Sequence, residues 1–423
     1  MTWQMIAALA VTCLTVYGLL KRWETRLVLL TAGFCMCILS LDPYAAFAQF
    51  DKSMTNSSLI IVICSAMGFA RVMSITGCDL HLVSLLTKPL NKLGIFLLPC
   101  CMIVTGIVSI AISSLAGMCA AIGPTICALM IRAGFRPAMA AATVIASTLP
   151  SFWSPGSSHN IFVAKLADWP IMDFLTYTSI RTGMISLFCI VMMIICCVVF
   201  GDFRRGGFEN DGVHDAANKV ELPANPEVLK AFAPLLPVVL LFVVAIWVPD
   251  VKISVATAML VGVIYTLLIT RANPAEVTKK FFDGMGHGYG NILGLIIAAG
   301  VFAAGLRSCG VIDVFVEALK GSSELAKLGA AVGPYILGVM TGSGDAAAFA
   351  FNEAVTPHAA AFGMTIPDLG YLAIVAATFG RVSSPLAAGV IVISGIAGVS
   401  PIEVIKRSAP VQICTLTFLF LIS

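Results

Sequence analysis

LGIFLLPCCMIVTGIVSIAISSLAGMCAAIGPTICALMI, residues 93–131, runs for 39 positions without one charged side chain. About 18 apolar residues already suffice for a membrane-spanning helix. This run has twice that length, and its middle, Ser113-Ser114-Leu115-Ala116-Gly117, is small and polar. Two full crossings fit it, and so does one hairpin that enters and leaves on the same face. Hydropathy alone does not separate them. The same choice arises over residues 329–363, whose middle is Thr341-Gly342-Ser343-Gly344-Asp345.

The rest of the chain has the same character. Residues 1–20, 182–201, 231–249, 253–270 and 288–306 are also free of charge. Only 11% of the 423 residues are charged, against about 25% in a soluble domain, and the mean hydropathy is +1.00. In lipid the backbone must close its own hydrogen bonds, which selects helices here, since the period-2 alternation of an outer-membrane barrel is absent. Ten crossings are expected, near 3–20, 25–42, 55–73, 137–165, 178–201, 232–249, 253–270, 287–306, 367–398 and 404–423. Met1–Leu20 has no basic residue ahead of its apolar core, and Lys21 and Arg22 follow it, so it reads as an uncleaved first crossing. The chain stops at Ser423 inside an apolar run, as a truncated C-terminus would.

Composition also excludes function classes. The 14 cysteines fall almost entirely inside apolar runs and read as small buried thiols. No Cys/His spacing suits a metal, no phosphate-binding loop suggests ATP drive, and a net charge of +3 is too small to imply nucleic acid. With the N-terminus outside, 17 basic residues fall on the cytoplasmic face and 7 on the other, leaving Arg381 inside a crossing.

The chain repeats itself. Phe69-Ala70, Gly77 and Pro124 return 233 residues later as Phe302-Ala303, Gly310 and Pro357. Pro137, Ser154-Pro155 and Ala167 return after 230 residues as Pro367, Ser384-Pro385 and Ala397. Each half holds five crossings and one hairpin-like segment. Five is odd, so the halves must be inverted, as in many transporters.

Each half also carries a helix interrupted by proline: residues 147–160, around Pro150 and Pro155, and residues 378–385, ending at Pro385. Proline removes a backbone donor and clashes with the preceding turn. Unwound backbone at membrane depth is tolerated only where it lines a cavity or is buried in protein. Freed N–H groups and helix N-termini favour an anion, and freed carbonyls a cation. Two tips facing two breaks would enclose one site. Its candidate substrate ligands are Ser113, Ser114 and Gly117 of the first tip, and Thr148, Ser154 and Ser157 of the first break. From the second half come Gly342, Ser343, Gly344, Thr378, Arg381, Ser383 and Ser384, with Asp345 as the ion-coupling candidate. Small polar residues in apolar helices also serve plain helix packing. Asp345 and Arg381 differ, because ionisable groups at such depth are functional candidates by default. Arg381 either receives a substrate carboxylate or pairs with Asp345. Asn352, Glu353 and His358 lie on the far arm of the second hairpin, and His358 reads as structural.

Several stretches together resemble a known family: Met67-Gly68-Phe69-Ala70, Ile112-Ser113-Ser114-Leu115-Ala116-Gly117, Ala298-Ala299-Gly300-Val301-Phe302-Ala303, Thr341-Gly342-Ser343-Gly344-Asp345-Ala346, Gly380-Arg381-Val382-Ser383-Ser384-Pro385 and Ser400-Pro401-Ile402-Glu403-Val404-Ile405-Lys406-Arg407. The chain is similar over nearly its whole length to the anaerobic four-carbon dicarboxylate carriers of the Dcu C type, within the ion-transporter superfamily. That resemblance implies a bacterial inner-membrane carrier of succinate, fumarate and malate, working by proton- or ion-coupled symport, exchange or efflux, with H⁺ or Na⁺ as the coupling ion and no other cofactor. It also implies re-entrant hairpins, a homodimer, and a fixed scaffold with a mobile, elevator-like body. The scaffold would comprise 1–42 of a first repeat (1–201) and 232–270 of a second (232–423), joined by a linker at 202–231. The mobile parts would be 55–201 and 287–423, with surface arms near 79–92 and 311–327. Rival readings are a cation/proton antiporter, a passive channel, and a carrier of another organic anion or amino acid.

Overall fold

The computed structural model describes residues 3–21, 23–87, 96–112, 114–204, 223, 225–247, 253–312, 314, 317 and 323–423. The expected site residue Ser113 lies outside them, as do Lys88, Asp313 and Lys320 of the expected surface arms. Among the described residues there is no β-strand, only an isolated bridge between Phe135 and Phe203.

The first half runs α1 (Trp3–Leu20), α2 (Thr25–Leu39), α3 (Tyr44–Met54), α4 (Ser57–Thr76) and α5 (Cys78–Thr87). It continues with α6 (Leu97–Ala111), α7 (Leu115–Arg132), α8 (Pro137–Ala146), α9 (Ser158–Leu166) and α10 (Ile171–Val199). The second half runs α11 (Val228–Phe232), α12 (Leu236–Trp247), α13 (Val255–Thr270), α14 (Pro274–His287) and α15 (Gly294–Ser308). Then come α16 (Ser323–Thr341), α17 (Gly344–Ala354), α18 (Ile366–Val382), α19 (Ala388–Ala397) and α20 (Pro401–Ile422). Four stretches, Leu59–Thr76, Ile171–Val199, Pro274–Ser308 and Pro401–Ile422, are each long and apolar enough to cross a bilayer. Shorter apolar helices, such as Thr25–Leu39 and Val255–Thr270, accompany them. The protein is a multi-pass, all-helical membrane protein.

Local chemistry sets the ends. Side chains of Glu24, Asn56, Ser254, Asn273, Thr365 and Ser400 accept backbone N–H bonds at the starts of α2, α4, α13, α14, α18 and α20. Two elements differ from expectation. Residues 44–54, between the crossings expected at 25–42 and 55–73, form α3. Residues 274–287, which precede the crossing expected at 287–306, form α14 and run through a π-helical segment (Gly288–Leu293) into α15. Asn273 caps α14, Pro274 fits its first turn, and Val277, Phe281 and Gly284 form one buried stripe at helical spacing. Lys279 and Lys280 sit between those stripe positions.

The largest core cluster joins α6–α10 with α16–α20. A second cluster joins α1, α2, α4 and α15 to α9 and α17, and a third joins α4, α12, α13 and α14. The spine is α18, in which 14 residues are buried. Gly380, read as part of the second break, lies inside this helix: unwinding begins only after Val382. A Cβ on Gly380 would lie 2.1 Å from the Tyr335 carbonyl oxygen, so glycine here permits backbone contact with α16.

Arg407 was counted among the cytoplasmic charges, yet it is buried. Its Nε and Nη2 donate to Asp202 Oδ2 and Oδ1 at 2.5 and 3.0 Å. Nη1 donates to Glu403 O and Oε2 at 2.9 and 3.1 Å. Asp202 is fully buried and also lies 3.6 Å from Arg136 Nε. This network pins the C-terminal end of α10 to the first turns of α20.

Candidate functional site

Four helices begin at one cavity of about 350 Å³. They are α7, α9, α17 and α19, and each starts there because the chain before it is held extended. Ser114 caps α7 by accepting from Gly117 N at 3.3 Å, and Ser343 caps α17 by accepting from Ala346 N at 3.2 Å. Before α9, Asn160 Nδ2 donates to the carbonyls of Phe152 and Ser154 at 2.8 and 3.2 Å, which fixes the first break. The second tip turns at Gly342, with φ +69°, where a Cβ would meet the Leu386–Ala387 backbone at 2.9–3.0 Å. The first tip touches the same region, since a Cβ on Gly389 would lie 2.4 Å from Leu115 Cγ. Both tips thus touch the chain that follows the second break, the first of them from the other half of the sequence.

Four ionisable side chains line the cavity, His159, His287, Asp345 and Arg381, and three of them form one cluster. Asp345 Oδ1 lies 2.8 Å from His159 Nε2 and 3.6 Å from Arg381 Nη1. Arg381 Nε is buried without a hydrogen-bond partner. His287 and Asn291 line the cavity from the α14–π–α15 helix. Arg26 Nη1 holds that helix by donating to Gly290 O at 2.6 Å. π-helical turns recur at functional sites. A second cavity of about 420 Å³ shares Met67, Ser114 and His287 with the first. Arg71, Asp79 and Asp283 line it. Among the described residues, no group of three or more His, Cys, Asp or Glu side chains could hold a metal.

Of the residues singled out in the sequence, Ser114, Ser157, Gly342, Ser343, Gly344, Asp345, Thr378 and Arg381 line the first cavity. Gly117 lines the second. Thr148, Ser154, Ser383 and Ser384 are buried outside its lining. Thr148 Oγ1 donates to Ile145 O at 3.2 Å, and Ser384 Oγ accepts from Leu386 N at 3.2 Å. Thr378 Oγ1 donates to Ile374 O at 2.8 Å, so toward the cavity it offers lone pairs only. Both sides of the Arg381 choice keep a footing: the pairing with Asp345 exists, but it is long and engages part of the fork.

His159, Asn160, His287 and Asn291 were not singled out. The signal for His159 and Asn160 was their place at the end of the first break, residues 147–160. For His287 it was the alternating glycines Gly284, Gly286, Gly288 and Gly290.

Residues 40–422 match the C4-dicarboxylate anaerobic carrier (DcuC) family. The chain belongs to that family. Its members are transporters, not enzymes. The chain is 26% identical over 449 aligned positions to a Vibrio cholerae protein described as a probable anaerobic C4-dicarboxylate transporter DcuC, covering 98% of this chain and 96% of the relative. It is 39% identical over 274 residues to an uncharacterised transporter of Haemophilus influenzae, covering 63% of this chain and 98% of that one. The fold is similar to that of MtrF of Neisseria gonorrhoeae, described as one of a class of antimetabolite efflux pumps, with a TM-score of 0.63, 13% identity, and 89% and 82% of the two chains covered.

Proposed function

We propose that the protein is a secondary carrier of four-carbon dicarboxylates in a bacterial inner membrane. One observation carries this reading: the N-termini of α7, α9, α17 and α19 meet at a single cavity that also holds Arg381 and His159. Each helix start presents roughly half a positive charge and unpaired backbone N–H groups. Four of them with a guanidinium make a site for an anion with more than one negative charge. A volume of about 350 Å³ lies at the small end of ligand pockets, which suits a small solute. The Vibrio cholerae relative's description names the same substrate class.

Substrate contacts in this reading come from Ser114, Ser157, Ser343 and Arg381, with Gly342 and Gly344 allowing close approach. Transport proceeds by proton- or sodium-coupled symport, exchange or efflux. The two halves are inverted repeats with re-entrant hairpins, and the protein works as a homodimer by an elevator motion. The mobile body is drawn from the α6–α10 and α16–α20 core, while α1–α4 and α12–α15 stay with the scaffold. This boundary moves α4 and α15 out of the mobile part, because α15 lies backbone to backbone on α2 at Gly33 and Val301.

Proteoliposomes loaded with fumarate and given labelled succinate test this function. Uptake driven by internal fumarate or by an imposed ion gradient is the expected result. Proton-for-cation exchange indifferent to every dicarboxylate would make it an antiporter, and flux without counterflow a channel.

A further inference from the structure

We propose that His159 and Arg381 form a two-armed carboxylate clamp, and that Asp345 occupies it with its own carboxylate until a substrate carboxylate displaces it. The inference rests on the dicarboxylate reading and adds to it a binding residue, His159, and an internal competitor, Asp345.

Both arms reach one atom. Asp345 Oδ1 is 2.8 Å from His159 Nε2 and 3.6 Å from Arg381 Nη1. The two contacts are unequal. His159 Nε2 approaches within 2.8 Å, while Arg381 reaches Asp345 only through Nη1 and its Nε is buried without a hydrogen-bond partner. The 3.6 Å contact is beyond ordinary hydrogen-bond reach. A guanidinium fork prefers two parallel bonds to both oxygens of a carboxylate. Asp345 cannot supply them, because its backbone is fixed in the first turn of α17, where Ser343 is the cap. A substrate carboxylate has no such tether and can engage both arms.

The clamp is held in shape. The His159 ring packs on Phe349 at 5.4 Å between centroids, and Phe349 packs on Phe162 at 5.1 Å. Gly344 keeps α17 close to Arg381, since a Cβ there would lie 3.2 Å from Arg381 Cβ. In the empty site Asp345 spares the buried guanidinium from standing without an anion.

The test is fumarate binding to the purified full-length protein in nanodiscs. Asp345→Asn keeps the side chain's shape and removes the competing charge. It should tighten fumarate binding about 10-fold, the order expected for one charge a few ångströms away at partial screening. His159→Gln should weaken binding about 10-fold. Unchanged or weaker binding in D345N overturns the clamp, and so does unchanged binding in a folded H159Q protein. Should H159Q fail to elute as a folded species, the D345N affinity decides alone. Wild-type protein that binds fumarate while D345N binds no tighter leaves the dicarboxylate reading standing and removes only the clamp. Wild-type protein that binds no dicarboxylate overturns both.

Discussion

Arg381→Ala should abolish dicarboxylate uptake in proteoliposomes, with a loss of roughly 100-fold or more and no loss of folded protein. Charge-assisted hydrogen bonds are worth about 1.5–3 kcal/mol each, and a fork makes two. Arg381 is mostly buried at the cavity wall, and its Nε has no protein partner to lose. Arg381→Lys keeps the charge but loses the planar fork, so it should still lose most of the affinity. The rival assignment makes Arg381 only a partner of Asp345. On that assignment the double replacement Arg381→Ala, Asp345→Ala should recover transport. Recovery in the double variant would end the claim that Arg381 binds substrate.

Asp202→Ala should be the most damaging change away from the cavity. Asp202 is fully buried beneath the Arg407 fork, and removing it leaves Nε and Nη2 of a guanidinium whose side chain is 5% exposed without partners, with only the Nη1 contacts to Glu403 remaining. Breaking one side of a buried pair costs about 3–5 kcal/mol. The expected readout is a clear fall in the melting temperature of detergent-purified protein. Replacing both partners with apolar residues, Asp202→Leu with Arg407→Met, should restore much of the loss, because no charge is left stranded. An unchanged melting temperature in the single variant would show that water or lipid headgroups already satisfy Arg407.

How much of this was legible in the sequence follows from where each signal sits. The helical membrane class was legible because charge-free runs are a local property. The tips at Ser114 and Ser343 and the start of α9 after Ser157 were legible for the same reason: Gly, Pro and Ser punctuate an otherwise apolar chain. Gly380 misled, since a glycine beside Arg381 and ahead of Pro385 reads as a break, and only the position of Tyr335 on another helix reveals a packing contact. The α14 helix was hidden by its charges, which mask a stripe of three buried residues. His159 was passed over because its meaning comes from Asp345, 186 residues further on, and no local pattern encodes that pairing. Arg407 looked like one of a solvated run, and only the return of α20 past Asp202 buries it. Thr148 and Thr378 read as candidate ligands from the sequence, and in the structure both hydroxyls donate to carbonyls of their own chain, an alternative that no residue pattern announces.

The contact between Leu115 and Gly389 spans 274 positions of the chain. During synthesis the first tip therefore emerges long before the segment that closes against it exists. Until then the start of α7 and the break beneath it have no covering partner, and their backbone amides face whatever the insertion machinery or neighbouring lipid supplies. Such distant closures form late and slowly. The cavity is thus one of the last parts of the molecule to be born, and a ribosome halted before Ala388 would release a chain with most of its helices and only three of the four helix starts that meet there.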